Sequence, residues 1–149
     1  MRCQDIMTKN PATLTMEATV QEAARLMADK DVGFVPIVDK SGNAIGTVTD
    51  RDIAVRCVAK GLDPRTAKLS DFGGNQVICC MADDDVSKAE QLMSQHKIQR
   101  ILVCEGDHKK GHRPVGVISL QDLASSAGKD DVGETVRKVK EEPARTPVH

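Results

Sequence analysis

Apolar positions along this chain follow a helical period in some segments and a strand-like period in others. In residues 20–30 they are spaced three and four apart, which predicts an amphipathic helix. The run Phe34–Val38 and the segment 45–49 are rich in β-branched residues, and Ser41-Gly42-Asn43 between them predicts a hairpin turn. A second helix is expected over 50–60, where glycine and proline signals then end the pattern.

The same order of elements occurs twice. An offset of 66 residues aligns 5–38 with 71–104 without a gap, and an offset of 70 aligns 46–49 with 116–119. Each copy reads strand, helix, strand, strand, helix, which predicts a mixed α/β fold. One copy is too small to bury its apolar face alone, so we expect the two to pack sheet to sheet with pseudo-twofold symmetry. At the first offset five pairs are identical: Asp5/Asp71, Val20/Val86, Ala23/Ala89, Leu26/Leu92 and Met27/Met93.

The duplication also sets the expected boundaries. We assign residues 1–64 to the first copy and residues 65–127 to the second. Residues 128–149 form a charged C-terminal segment, for which we expect a short helix followed by a disordered tail.

Composition and charge narrow the class of protein. The chain has two Phe and neither Trp nor Tyr, so its core must be aliphatic and stacking on nucleic-acid bases is disfavoured. The net charge is −1 with both signs interspersed, and no apolar run approaches the roughly 18 residues that span a membrane. Five cysteines without a disulfide spacing, and an N-terminus unlike a signal peptide, lead us to expect reduced thiols and a cytoplasmic location.

Several motifs resemble a known family. The segments Asp5-Ile6-Met7-Thr8, Gly33-Phe34-Val35-Pro36-Ile37-Val38-Asp39 and Gly46-Thr47-Val48-Thr49-Asp50-Arg51-Asp52-Ile53 resemble a CBS (cystathionine-β-synthase) repeat. The second copy resembles another, and its segments 99–103 and 116–123 are similar to the repeats of the AMP-activated protein kinase γ subunit. The resemblance covers residues 3–127 and implies a stand-alone pair of CBS repeats without an attached catalytic domain.

The resemblance also implies a function. We expect a regulatory module that binds an adenine nucleotide, acts as an energy or metabolite sensor through a homodimer, and controls a protein target not yet known. No catalytic cofactor and no enzyme activity are expected, because no Ser/His/Asp or Cys/His spacing suited to catalysis stands out.

Two equivalent motifs are the strongest candidates for ligand contacts. Thr49-x-x-Asp52 and Ser119-x-x-Asp122 each lie where a strand meets the next helix. A hydroxyl beside free helix-start N–H groups can hold a phosphate, and an Asp three residues on can accept both hydrogen bonds of a ribose cis-diol. The same pattern is also a capping box, which stabilises a helix and binds nothing. Capping boxes favour the longer Glu or Gln, so the repeated Asp favours ligand binding.

The resemblance implies further residues around each motif. Two arginines, Arg51 and Arg100, are candidates for phosphate contacts, which favours AMP, ADP or ATP as the ligand over S-adenosylmethionine. Ordinary core packing is the alternative role for the apolar residues, and a solvated or paired surface charge is the alternative for the arginines. One site would combine Ser119 and Asp122 with Ala12, Val32, Gly33, Arg100 and Val117. The other would combine Thr49 and Asp52 with Thr47, Arg51, Ile78, Ile98 and Gln99.

Two other functions stay open. The first is a ligand-free scaffold for dimerisation or protein interaction, in which the motifs are only helix caps. The second is a nucleic-acid-binding accessory protein that would use the small basic patch Lys109, Lys110, His112 and Arg113.

Two clusters of potential metal or redox ligands are interpreted as structural. His108 and His112, with Cys104 nearby, flank a glycine-containing loop that is typical of a solvated hairpin tip, so we expect no metal there. Cys79 and Cys80 are adjacent in a predicted strand, so their side chains should point to opposite faces and form no bridge with each other.

Overall fold

The computed structural model of the protein describes residues 1–72, 77–106 and 111–126. The fold is mixed α/β, as predicted. Its first elements are α1 (Cys3–Ile6), β1 (Thr8–Lys9), α2 (Val20–Lys30), β2 (Phe34–Val38), β3 (Ala44–Thr49), α3 (Asp50–Asp52), a π-helix (Ile53–Val58) and a 3₁₀ helix (Leu69–Phe72). They are followed by β4 (Cys79–Met81), α4 (Val86–His96), β5 (Arg100–Glu105), β6 (Arg113–Ser119) and α5 (Leu120–Ser126).

The described chain divides into two compact units. Residues 12–72 and 77 form the repeat-1 unit, and residues 1–11, 78–106 and 111–126 form the repeat-2 unit. The leading turn of each sequence copy therefore belongs to the unit built mainly from the other copy. Two bridges show this exchange, because Arg2 pairs with Asp85 and Lys68 pairs with Thr19 at equivalent positions of the duplication. The C-terminal segment 128–149 lies outside the described residues.

The repeat-1 unit is built around the β2–β3 hairpin. The strands are antiparallel, with Phe34 opposite Thr49, and Leu14 adds an isolated parallel bridge to Ile37. Helix α2 begins with a complete capping box, in which Glu22 N donates to Thr19 Oγ1 (3.2 Å) and Thr19 N donates to Glu22 Oε2 (2.9 Å). The main core consists of Ala18, Ala23, Met27, Val35, Ile37, Val48 and Leu69, and a smaller cluster of Val20, Cys57 and Ala67.

The second predicted helix of this unit is present but wound differently from the expectation. It begins as α3 and continues as the π-helix, where Ala59 N donates to Ala54 O over 2.9 Å, five residues back. Each hydrogen bond of a π-helix spans five residues, one more than in an α-helix. Apolar spacing locates such a helix but does not reveal the wider turn, because six residues make fewer than two turns and do not define a period.

The repeat-2 unit contains a four-stranded sheet in the order β1-β6-β5-β4. Strands β5 and β6 form an antiparallel hairpin, β4 runs parallel to β5, and β1 pairs antiparallel with β6. Gly116 on β6 packs against the Met7 side chain, which would have to shift to admit a Cβ at this position. The core of this unit consists of Cys3, Cys80, Ala82, Val86, Ala89, Met93, Ile101, Val103, Ile118 and Leu123. In the described ranges, no helix combines the length and hydropathy needed to cross a membrane.

Candidate ligand-binding site

The repeat-1 motif lies where β3 ends and α3 begins. Asp52 N donates a hydrogen bond to Thr49 Oγ1 (3.1 Å), and Thr49 N donates to Asp52 Oδ2 (2.9 Å). Both bonds of a capping box are therefore made. The Asp52 carboxylate is turned back onto the backbone through one of its oxygens.

The repeat-2 motif repeats this geometry at the junction of β6 and α5. Asp122 N donates to Ser119 Oγ (3.1 Å), and Ser119 N donates to Asp122 Oδ2 (2.8 Å). The capping role that the sequence left as an alternative is thus present in both copies, although Asp is shorter than the usual Glu or Gln.

Capping leaves part of each motif available. A carboxylate has two oxygens and each cap occupies only Oδ2, so Oδ1 can still accept hydrogen bonds. In Asp52 this oxygen lies 3.7 Å from Nε of Arg56, whereas no hydrogen bond within the described residues reaches Oδ1 of Asp122. The Ser119 hydroxyl accepts one bond and its own O–H can still donate. The repeat-2 motif therefore offers both a donor and an acceptor beside each other.

The residue opposite each hydroxyl differs between the two units. Arg100 on β5 is the cross-strand partner of Ser119, whereas Phe34 on β2 is the partner of Thr49. Directly opposed residues of an antiparallel pair place their side chains on the same face of the sheet. The guanidinium of Arg100 is therefore carried on the face that carries the Ser119 hydroxyl, and Arg100 is half-buried. Only the repeat-2 motif has a cation at this position.

The remaining predicted site residues are divided between the units. The repeat-1 unit holds Ala12, Val32, Gly33, Thr47 and Arg51, and the repeat-2 unit holds Ile78, Ile98, Gln99 and Val117. Within the repeat-1 unit, Asp50 N donates to Gly33 O (3.0 Å), which puts Gly33 beside the Thr49/Asp52 motif. At the equivalent place, Leu120 N donates to Gln99 O (3.0 Å) beside Ser119 and Asp122.

The sequence assigned Gly33 and Gln99 to the motif of the opposite copy. That assignment combines residues of the two units and stays a prediction. Val32 is 40 % exposed and Arg51 is exposed, so both side chains are accessible in their own unit. Of the basic patch, His112 and Arg113 are described, whereas Lys109 and Lys110 lie outside the described residues, as does His108 of the rejected metal cluster.

Arg56 was missed by the sequence reasoning. It forms an ion pair with Asp52 and donates a hydrogen bond from Nη1 to the Phe72 carbonyl (3.2 Å). The available signal was the spacing of four residues between Asp52 and Arg56 on one helix, which brings opposite charges together. Arg56 gives the repeat-1 motif a partner of its own, so the two motifs differ in spite of their matching sequences.

Two copies of one pattern, each with a hydroxyl-x-x-Asp motif where its last strand meets its last helix, define a tandem-repeat α/β protein. The CBS domain model matches residues 3–58 and 69–128. The chain therefore belongs to the CBS domain family and contains two CBS repeats.

Known proteins of the same length range resemble this chain. It is 36% identical over 121 residues to the CBS domain-containing protein YhcV of Bacillus subtilis, covering 81% of each chain. Among solved structures, the CBS domain protein PAE2072 from Pyrobaculum aerophilum complexed with AMP has a TM-score of 0.74 and 27% identity, with 91% of this chain and 98% of that chain covered. The CBS domain pair of protein MJ0100, in complex with 5′-methylthioadenosine and S-adenosyl-L-methionine, has a TM-score of 0.72 and 25% identity, covering 84% and 94%.

Proposed function

We propose that this chain is a regulatory module that binds an adenine nucleotide, and that AMP, ADP or ATP is held by the repeat-2 motif. The observation that carries the proposal is the cross-strand pair Arg100–Ser119, with Asp122 three residues further on. A guanidinium and a hydroxyl on one face suit a phosphate, and a carboxylate oxygen outside the cap suits a ribose diol. The ligands named for the two solved relatives all contain an adenosine group, which supports this class.

The charge of the site favours a phosphorylated ligand. Adenosine is common to AMP, 5′-methylthioadenosine and S-adenosylmethionine, so Asp122 alone does not distinguish them. Arg100 does, because a guanidinium forms strong bidentate hydrogen bonds with phosphate oxygens and would repel the sulfonium of S-adenosylmethionine. Ala12, Val32 and Gly33 belong to the repeat-1 unit, so their contribution to this site stays a prediction.

The repeat-1 motif is the weaker candidate for a second site. Phe34 replaces the arginine there, and Arg56 already lies 3.7 Å from the free oxygen of Asp52. The pair is only partly buried, and surface ion pairs are worth about 0–1 kcal/mol, so it would compete only modestly with a ligand. The lack of an opposed cation on β2 is therefore the larger difference, and we expect this motif to act mainly as a helix cap.

We further propose that the module acts in the cytoplasm as a homodimer that senses the nucleotide and transmits its presence to a protein target, without catalysing a reaction. Val58 is 65% exposed and Leu62 is 42% exposed, and both lie at or just after the end of the π-helix. Apolar side chains of this kind are suited to contact with a second copy. The ligand-free scaffold remains the rival function, and the two complete capping boxes are the observation in its favour.

A calorimetric titration separates the two functions. Nucleotide-free protein should give heat with AMP, ADP or ATP and a weaker or no signal with S-adenosylmethionine, because Arg100 selects an anionic group. GMP is the matched control for recognition of the base, because it has the same ribose phosphate as AMP and a different base. Absence of heat with every adenine nucleotide would refute nucleotide binding and leave the ligand-free scaffold as the function. A stronger response to S-adenosylmethionine than to AMP would refute the role given to Arg100.

A further inference from the structure

The cysteines of the repeat-2 unit form two thiol pairs on opposite faces of one strand. Cys79 and Cys80 are adjacent on β4 and, as the sequence predicted, point in opposite directions. Cys80 is 1% exposed and lies in the core with Cys3. Cys79 is half-buried on the other face, which it shares with Cys104 of the neighbouring strand β5. Only one cysteine of these four therefore combines a polar neighbourhood with access from outside.

A histidine completes the surroundings of Cys79. The Nδ1 atom of His112, the residue immediately before β6, lies 3.8 Å from Cys79 Sγ. Three chain segments thus converge on one sulfur: β4 supplies Cys79, β5 supplies Cys104, and the residue before β6 supplies His112. A sulfur between a thiol donor and an imidazole is in an environment that stabilises its anionic form.

The ionisation of Cys79 follows from these neighbours. The hydrogen bond from the Cys104 thiol, followed by the hydrogen bond and charge of His112, lowers the pKa of Cys79 to about 6. Burial and the negative charge of Asp84 oppose this shift and are outweighed. These neighbours therefore favour the thiolate form of Cys79. The same contact raises the pKa of Cys104, which stays a neutral donor.

We propose that Cys79 is a modification site that undergoes thiol–disulfide exchange with low-molecular-weight disulfides, and that Cys104 and His112 hold its sulfur in the reactive form. The Cys79 sulfur attacks one sulfur of the disulfide, so that a new S–S bond forms while the original one breaks. The departing half leaves as a thiolate and takes a proton from water. Cys79 is oxidised and the departing half is reduced, so the disulfide itself is the only oxidant required.

The other cysteines are poorly placed for this reaction. Cys3, Cys80 and Cys104 are at most 1% exposed, which prevents approach of a reagent. Cys57 is also fully buried, and burial raises its pKa above the ordinary value. A thiol needs both access and thiolate character to react, and Cys79 alone among the five cysteines has both.

The experiment measures the reaction of the native full chain with dithiodipyridine between about pH 4 and about pH 9, in buffer containing EDTA. The released thiopyridone gives the rate, and peptide mass spectrometry locates the adduct. We expect one fast-reacting thiol per chain, in the peptide that contains Cys79, with a rate that is half-maximal near pH 6. Cys79→Ser should abolish the fast phase, whereas Cys57→Ser should leave it unchanged.

Variants of the neighbours test how the sulfur is activated. Cys104→Ala should move the midpoint up toward the ordinary cysteine value of about 8.5, and Cys104→Ser should restore a lower midpoint because the hydroxyl can still donate. His112→Asn should cause a smaller rise. A fast phase that survives Cys79→Ser would overturn the proposal. So would a wild-type rate whose pH midpoint lies at the ordinary pKa of cysteine.

Discussion

Replacing Arg100 with alanine is expected to weaken AMP binding by about 10- to 100-fold and to leave adenosine binding nearly unchanged. Arg100 is the cross-strand partner of Ser119, so its side chain lies on the face of the sheet where the Ser119 hydroxyl would hold a phosphate. Loss of charge-assisted hydrogen bonds of this kind costs about 1.5–3 kcal/mol. Adenosine lacks the phosphate and therefore lacks the contact.

Calorimetric titration of both ligands checks this expectation. Arg113→Ala is the matched control, because this substitution also removes one positive charge. Arg113 lies at the other end of the same hairpin, opposite Glu105. A global effect of charge would weaken AMP binding in both variants. Equal losses for AMP and adenosine in Arg100→Ala would show that the side chain supports the site without contacting phosphate.

The largest effect on stability is expected for Met93→Ala. Met93 is completely buried in α4 within the core of the repeat-2 unit, and it matches Met27 of the first copy. Truncating a buried Met to Ala removes apolar contacts and leaves a cavity, which costs about 2–5 kcal/mol of the free energy of unfolding. Urea denaturation followed by circular dichroism measures this loss.

Gln91→Ala provides the control for that measurement. Gln91 is exposed on the same helix, and alanine favours the helical state, so its effect should stay within about 0.5 kcal/mol. A loss below about 1 kcal/mol for Met93→Ala would contradict the close packing of this core.

The elements of the fold could be predicted because two independent patterns agree. Helices α2 and α4 have the same length and occur 66 residues apart, as the alignment of the copies requires. The hairpins follow from β-branched runs separated by turn residues. The exchange of leading turns could not be predicted, because Arg2–Asp85 and Lys68–Thr19 are long-range pairings without a local signal. The bulge at Val103/Cys104 is likewise a property of the paired strands.

The candidate site shows where sequence reasoning ends. Motif spacing placed Thr49, Asp52, Ser119 and Asp122 at strand–helix junctions, which the structure confirms. Spacing did not show that one carboxylate can cap a helix through Oδ2 while Oδ1 remains available. The difference between Arg100 and Phe34 depends on strand register, since a shift of one residue would move either side chain to the other face. The Cys79 cluster depends on register in the same way.

The AMP affinity of Asp122→Ala, compared with that of Asp52→Ala, tests most directly whether the repeat-2 motif holds the nucleotide. Each variant removes one capping box and should lose about 1 kcal/mol of stability, so any difference in affinity reports on the ligand site. We expect Asp122→Ala to weaken AMP binding by at least about 10-fold, through loss of the ribose contact, and Asp52→Ala to bind AMP almost as the wild type does. Unchanged affinity in Asp122→Ala, or no AMP binding by the wild type, would contradict the account.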